Sequence, residues 1–235
     1  PFWHLGFLAV PVTIIWIVGI TNAVNLIDGL DGLAVGVSSI AAITMLAVAL
    51  LTDNMAIAIT MAALTGACIG FMPYNLNPAK IFMGDTGSTF LGYMLATVSI
   101  MGLFKFYAVI SFAVPFLILG LPIFDTANAI IRRLAEGRSP MSPDRGHVHH
   151  KLIDMGFNQK QAVAILYAIS ATLGLTAVVL TSSGEVKAVV LLAAVLAAIL
   201  VGACIIYGAE HWGKHPQEQK KHKNEAAQEE KNKHE

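Results

Sequence analysis

Apolar runs and short polar connections alternate along this chain at a spacing set by the thickness of a lipid bilayer. Seven runs are about 17 to 25 residues long, enough to cross a hydrocarbon layer as helices. They are Leu5 to Thr21, Leu33 to Leu51, Met55 to Met72, Ser88 to Phe104, Tyr107 to Thr126, Ala162 to Thr181 and Lys187 to Tyr207. Backbone groups inside lipid must find partners within their own segment, so the pattern predicts helices. Pro11, Pro115 and Pro122 lie inside the runs and predict kinks. The fold class that follows is all-α: a polytopic transmembrane helical bundle with about seven membrane helices.

Composition excludes a soluble domain, because 56% of the 235 residues are hydrophobic and only 13% are charged. Mean hydropathy is +0.67. Cys68 and Cys204 both fall inside apolar runs, where they read as small packing residues rather than as a disulfide or metal site. The chain opens at Pro1 with Phe2, Trp3 and His4 leading straight into an apolar run, which sets the expectation of a fragment lacking its own N-terminus. Residues 1–211 form the expected transmembrane domain. Residues 212–235, rich in Lys, Glu, Gln, His and Asn without apolar period, are expected to be a disordered cytoplasmic tail.

Counting crossings from one end sorts the connections by side. Asn22 to Gly32, Pro73 to Gly87, Ala127 to Gln161 and the tail fall on one face, and of the 15 Lys and Arg only Lys105 and Lys187 fall on the other, leaving 13 on the first. The positive-inside tendency makes that first face cytoplasmic. Every polar-rich connection therefore shares one side of the membrane.

These connections carry the candidate chemistry. The first reads Asn22-Ala-Val-Asn25-Leu-Ile-Asp28-Gly29-Leu-Asp31-Gly32-Leu-Ala34, two amides and two carboxylates at a membrane boundary, with glycines that permit tight turns. Read alone, Asp28 and Asp31 are equally well solvated loop residues. The second contains Asn75, Phe82 and Gly84-Asp85-Thr86-Gly87-Ser88. A carboxylate among small residues suits a magnesium ion that completes its shell with water and substrate phosphate. The plainer reading is a helix cap built from Asp85, Thr86 and Ser88. Phe82 is placed either to stack a nucleobase or to sit at the membrane interface.

The third connection holds Arg132, Arg133 and Arg138, then Arg145-Gly146-His147-Val148-His149-His150-Lys151. Three imidazoles flanked by cations suit phosphate oxygens or proton movement near neutral pH. A zinc site ranks lower, since no Cys is nearby and the spacing matches no common zinc pattern. Asp125, just before this loop, reads as a ligand, an arginine partner or a helix-end residue. Carboxylates for a divalent ion together with cations for phosphates are the equipment of phosphoryl transfer. A cation transporter would instead place ionisable groups near mid-membrane, where these runs have none.

Asn22 to Ala34, Phe82-Met-Gly-Asp85-Thr-Gly-Ser88 and Gly146-His147-Val-His149-His150 closely resemble, in this order, the signatures of the polyprenyl-phosphate N-acetylhexosamine-1-phosphate transferases. The resemblance covers roughly residues 1 to 205. The His-x-His-His form, with Pro122-Ile-Phe-Asp125-Thr, is similar to the branch using UDP-N-acetylglucosamine, whereas the muramoyl-pentapeptide branch typically shows three consecutive histidines.

The resemblance implies a bacterial inner-membrane enzyme with its site facing the cytoplasm. It would transfer N-acetylglucosamine-1-phosphate from UDP-N-acetylglucosamine to undecaprenyl phosphate, releasing UMP, as the first step of a cell-envelope polymer such as teichoic acid or O-antigen. Another UDP-sugar is the alternative donor. Mg²⁺ is implied as cofactor, with Mn²⁺ as substitute, and the bilayer as partner. No nucleic acid is expected, and a homodimer is open. By the same resemblance Asp85 would bind the metal, and Asn22, Asn25, Asp28 and Asp31 would shape the nucleotide side. Asn75 and Phe82 would hold uracil. Arg145, His147, His149 and His150 would contact phosphates, and Arg132 and Arg133 the sugar or diphosphate. The family also carries an adjacent Asp-Asp pair on an earlier cytoplasmic segment, and no Asp-Asp occurs here. The expectation is a truncated chain, inactive on its own.

Overall fold

The computed structural model describes residues 6–103, 108–139, 142 and 146–182, and those residues are helical with short connections. A 3-10 turn, Gly6–Leu8, leads into α1 (Ala9–Leu26), followed by α2 (Leu33–Leu51), α3 (Met55–Asn75), α4 (Gly84–Leu103), α5 (Ala108–Ile118), α6 (Gly120–Ala135), α7 (Val148–Asp154) and α8 (Gln159–Ser182). Among the described residues, Gly6–Leu26, α2, α3 and α8 are long and apolar enough to cross a membrane. The 20 residues of α4 suffice by rise alone, about 30 Å. This is a polytopic helical membrane protein. The expected seventh run, Lys187 to Tyr207, and the tail lie outside the described residues, as do Phe104 to Tyr107.

Short connections between α1 and α2 and between α2 and α3 reverse the chain, so neighbouring helices run antiparallel. Helix α2 is the centre: it packs against α3 and α8, while α1 packs against α4. Lipid gives apolar side chains no reason to leave it, so close helix contact depends on small residues. Gly36 on α2 lies against the Tyr167 ring of α8, Gly174 on α8 against Thr44 of α2, and Gly92 on α4 against the backbone of Thr21 on α1. Trp16 adds a polar tie, its Nε1 donating to Ser99 Oγ on α4 at 2.9 Å.

One predicted run is divided. The expected helix from Tyr107 to Thr126 is interrupted at Leu119, and its second half continues to Ala135. Pro122 is tolerated because it falls in the first turn of α6, where amide donors have no intrahelical partner. Arg132 and Arg133 are therefore residues of the last turn of α6, not of a loop. Cations there complement the helix dipole.

Helix α6 also inverts the pattern of a soluble helix. Asp125 and Arg133 are buried, whereas Phe124, Ile131 and Leu134 are exposed. Beneath the polar end of the bundle, Ile27, Leu33, Ala34, Val37, Leu121, Val163 and Leu166 form one apolar cluster, with Leu30, Val148 and Tyr167 packed on it. This cluster is the floor on which the polar connections sit.

Candidate active site

Antiparallel helices bring the α1–α2 turn, the α3–α4 connection and the segment around α7 to one end of the bundle. The α1–α2 turn is the hub. Asn25, in the last turn of α1, donates from Nδ2 to Asp85 Oδ1 at 3.2 Å and to Ser88 Oγ at 2.8 Å. Ser88 is buried and bonds back to the carbonyls of Gly84 and Asp85, closing the first turn of α4. Asp85 itself is exposed, one residue after Gly84, whose φ of 64° is glycine territory. Asn22 turns back to its own helix, its Nδ2 donating to the Val18 carbonyl.

Asp28 faces Asp85. Burial pushes its carboxyl above the ordinary range, and the negative charge of Asp85 pushes it further. A carboxylate made costly to ionise by a neighbouring negative charge is the kind of group a cation would relieve. Among the described residues no three His, Cys, Asp or Glu side chains are grouped to hold a metal. Magnesium needs fewer, since it commonly takes one or two protein carboxylates and fills its shell with water and phosphate oxygens. The hard-oxygen donors Asp28 and Asp85 fit that ion.

Asp31 is spent differently. Its Oδ2 accepts from Asn77 Nδ2 at 3.0 Å and from the Ala79 amide at 3.1 Å, and Asn77 also donates to Gln159 Oε1 at 2.7 Å. Asp31 thus clasps the α3–α4 connection and, through Asn77, the start of α8. Asn75 is buried with both ends of its amide used: Oδ1 accepts from the Gly32 amide and Nδ2 donates to the Ile81 carbonyl. Tyr167 closes the same turn from α8, its hydroxyl donating to the Gly32 carbonyl. The turn carrying Asp28 is therefore held from three directions. Phe82, by contrast, is 76% exposed, an aromatic face open to a ligand.

The histidines arrive from the other side. A Cβ on Gly29 would stand 2.4 Å from His149 Nε2, so only glycine lets this imidazole lie over the turn beside Asp28. His149 is buried, and its pKa falls to about 4, because burial disfavours the imidazolium, His150 and His147 add repulsion, and Asp125 opposes them only in part. His147 and His149 rings lie parallel within 8°, with centroids 5.7 Å apart, and His150 tilts against His149 at 4.3 Å. Gly146 lies directly against the Arg132 guanidinium, so Arg132 of α6 reaches this corner. Arg133 is buried in the same helix turn. Arg145 lies outside the described residues.

Asp125, Ser88, Asn77, Gln159 and Tyr167 complete the arrangement. The sequence offered Ser88 only as a cap and left Asp125 between three roles. Nothing in the local pattern marks Gln159 or Tyr167, which act across more than 80 residues of chain.

Residues 1–103 match the family described as Glycosyl transferase family 4. The chain is 45% identical over 181 residues, 77% of its length and 51% of the relative's, to a probable undecaprenyl-phosphate N-acetylglucosaminyl 1-phosphate transferase of Bacillus subtilis (strain 168). It is 41% identical over 172 residues, 64% of its length and 42% of the relative's, to a decaprenyl-phosphate N-acetylglucosaminephosphotransferase of Mycolicibacterium smegmatis. It is 35% identical over 175 residues, 72% and 50% respectively, to a phospho-N-acetylmuramoyl-pentapeptide-transferase of Clostridium beijerinckii. The chain spans about half the length of the curated relatives it matches. The segment similar to glycosyl transferase family 4 contains both the Asn25 to Asp31 turn and Asp85.

Proposed function

We propose that this chain carries the cytoplasmic-face site of a bacterial inner-membrane enzyme that transfers N-acetylglucosamine-1-phosphate from UDP-N-acetylglucosamine to undecaprenyl phosphate. A phosphate oxygen of the lipid attacks the sugar-linked β-phosphorus of the nucleotide. The bond from that phosphorus to the bridging oxygen breaks, UMP leaves with that oxygen, and undecaprenyl-diphospho-N-acetylglucosamine forms. The observation carrying this reading is the junction of Asn25, Asp28 and Asp85 under His149, which sets carboxylates for a cation against imidazoles for phosphate at one membrane surface.

Each side chain has a task in that reaction. Asp85 and Asp28 would hold Mg²⁺, or Mn²⁺ in its place. When bound, the ion neutralises charge on the diphosphate and holds it for in-line displacement. Asn25 orients Asp85 by donating to one oxygen and leaves the other for the ion. Phe82 offers its exposed ring to uracil. Asp31 and Asn75 hold the connection on which Phe82 rides. His147, His149 and His150, with Arg132 and Arg133, face the phosphates. His149, neutral at physiological pH, is suited to donate a hydrogen bond to a phosphate oxygen rather than to take up a proton.

Membranes containing the complete protein, supplied with labelled UDP-N-acetylglucosamine and undecaprenyl phosphate, test this. Lipid-extractable label and UMP are expected, abolished by chelation and restored by Mg²⁺. Product only from UDP-N-acetylmuramoyl-pentapeptide would move the assignment to that donor, and no product from either would remove it.

A further inference from the structure

The buried carboxylate of Asp125 has no task in the reaction just described, yet both of its oxygens are engaged. Oδ2 lies 2.8 Å from His147 Nδ1, and Oδ1 accepts the Val148 backbone amide at 2.8 Å. The two side chains are almost completely shielded, with 6% of His147 and 3% of Asp125 exposed. A carboxylate sealed beside Leu121 and Leu166 is costly unless every partner is in place.

The pairing of the two groups carries a tautomer with it. An ionised carboxylate only accepts, so His147 must donate from Nδ1, and any bond His147 makes to a ligand runs through Nε2. The other oxygen does a second job. His147 is the residue before α7 and its own side chain makes no cap, so Asp125, from α6, supplies the acceptor that the first amide of α7 requires. His149 and His150 ride on that helix. One carboxylate thus sets the ring of His147, the start of α7 and, through the parallel stack, the ring of His149.

We propose that Asp125 is a positioning residue: by binding His147 Nδ1 and the Val148 amide together, it fixes the histidine cluster against the Asp28 turn. The inference rests on the transferase reading for its effect on rate, but its geometric content does not.

The test therefore has two arms, both on the complete protein in detergent or nanodiscs. In the first, nitrogen NMR of histidine-labelled protein, with His147 assigned by His147→Gln, reads the tautomer. A proton on Nδ1 in the wild type, redistributed in Asp125→Asn, is expected. Nε2 protonation with bare Nδ1 in the wild type overturns the proposal whatever the enzyme does. In the second, kinetics are normalised to folded protein. Asp125→Asn and His147→Gln should each lower kcat by about 10- to 100-fold, as loss of an orienting partner does elsewhere, with KM for the nucleotide sugar changed less than threefold. The double variant should be no worse than about threefold below the weaker single, because both remove one interaction.

Asp125→Glu keeps the carboxylate and should recover part of the rate. If Asp125→Asn lowers only the yield of folded protein and leaves kcat intact, the residue is structural and the proposal fails. Absence of any transfer by the wild type defeats the function assignment alone, since the NMR arm still decides the role of Asp125.

Discussion

Asn25 Nδ2, at the end of α1, donates to Asp85 Oδ1, in the first turn of α4, although 60 residues of chain separate them. Its second bond, to Ser88 Oγ, fixes the amide so that nitrogen and not oxygen faces the carboxylate. Replacing Asn25 by Asp removes both donors and sets a third negative charge beside Asp28 and Asp85. We expect Asn25→Asp to lose on the order of 100-fold in kcat/KM, about 2.7 kcal/mol of transition-state stabilisation. Initial rates in membranes, normalised to folded protein, check this, and wild-type rates would show the contact to be idle.

Asp28 should trade stability for activity. Its folded-state pKa lies above the ordinary 3.8, so the folded protein holds the proton more tightly than the unfolded chain. Its contribution is intact below 3.8 and is lost as pH rises through the folded value, so at neutral pH the ionised carboxylate is a net cost. Asp28→Asn is expected to raise the metal-free melting temperature at pH 7 by a few degrees while abolishing transfer. Saturating Mg²⁺ should stabilise the wild type but neither Asp28→Asn nor Asp85→Asn. Thermal scanning with and without the ion reads both effects, and equal Mg²⁺ shifts in all three proteins would remove these carboxylates from the metal site.

His149 gives a pH dependence of opposite sign. Its pKa is about 4 in the folded protein against 6.5 ordinarily, so between these values the unfolded chain binds the extra proton. Stability held above pH 6.5 should be lost progressively as pH falls toward 4. His149→Gln has nothing to titrate and should flatten this part of the curve by a few degrees. An unchanged pH profile in the variant would assign the acid sensitivity to other groups.

The membrane helices were legible in the sequence because lipid imposes a length and forbids unpaired backbone, and α2 begins and ends where its apolar run does. What the run lengths did not contain was the break at Leu119. Apolar residues continue on both sides of it, and the amphipathic half that follows is recognisable only once Asp125 and Arg133 are seen to be buried. Helix α7, of seven residues, is too short for any period to announce it, and its start is capped by a side chain 23 positions away. That three separate motifs meet at one end of the bundle was legible from the side on which each connection falls. The division of labour within it was not, since Asp28 and Asp31 sit in one repeated Asp-Gly pattern and only the partners Asn77 and Ala79 tell them apart.

Two glycines should separate folding from function. Gly36, inside α2, faces the Tyr167 ring, and a Cβ there would stand 2.0 Å from Tyr167 Cζ. The ring is pinned by its hydroxyl bond to the Gly32 carbonyl, so Gly36→Ala is expected to cost about 1 to 3 kcal/mol by overpacking and to lower the yield of folded protein. Gly29 lies in the exposed turn, where its backbone conformation is one alanine adopts, and the atom in the way is the His149 ring. His149 is carried on the seven-residue α7 and not on a membrane helix, so its side chain can turn aside without unpacking the bundle. Gly29→Ala should therefore fold and melt nearly as the wild type does while losing about 10-fold or more in kcat, roughly 1.4 kcal/mol. Size-exclusion yield, melting temperature and rate measured on the two variants separate the cases. Equal loss of yield in both would mean that His149 is held as rigidly as the core helices, and that the approach of its ring to the Asp28 turn is a packing contact alone.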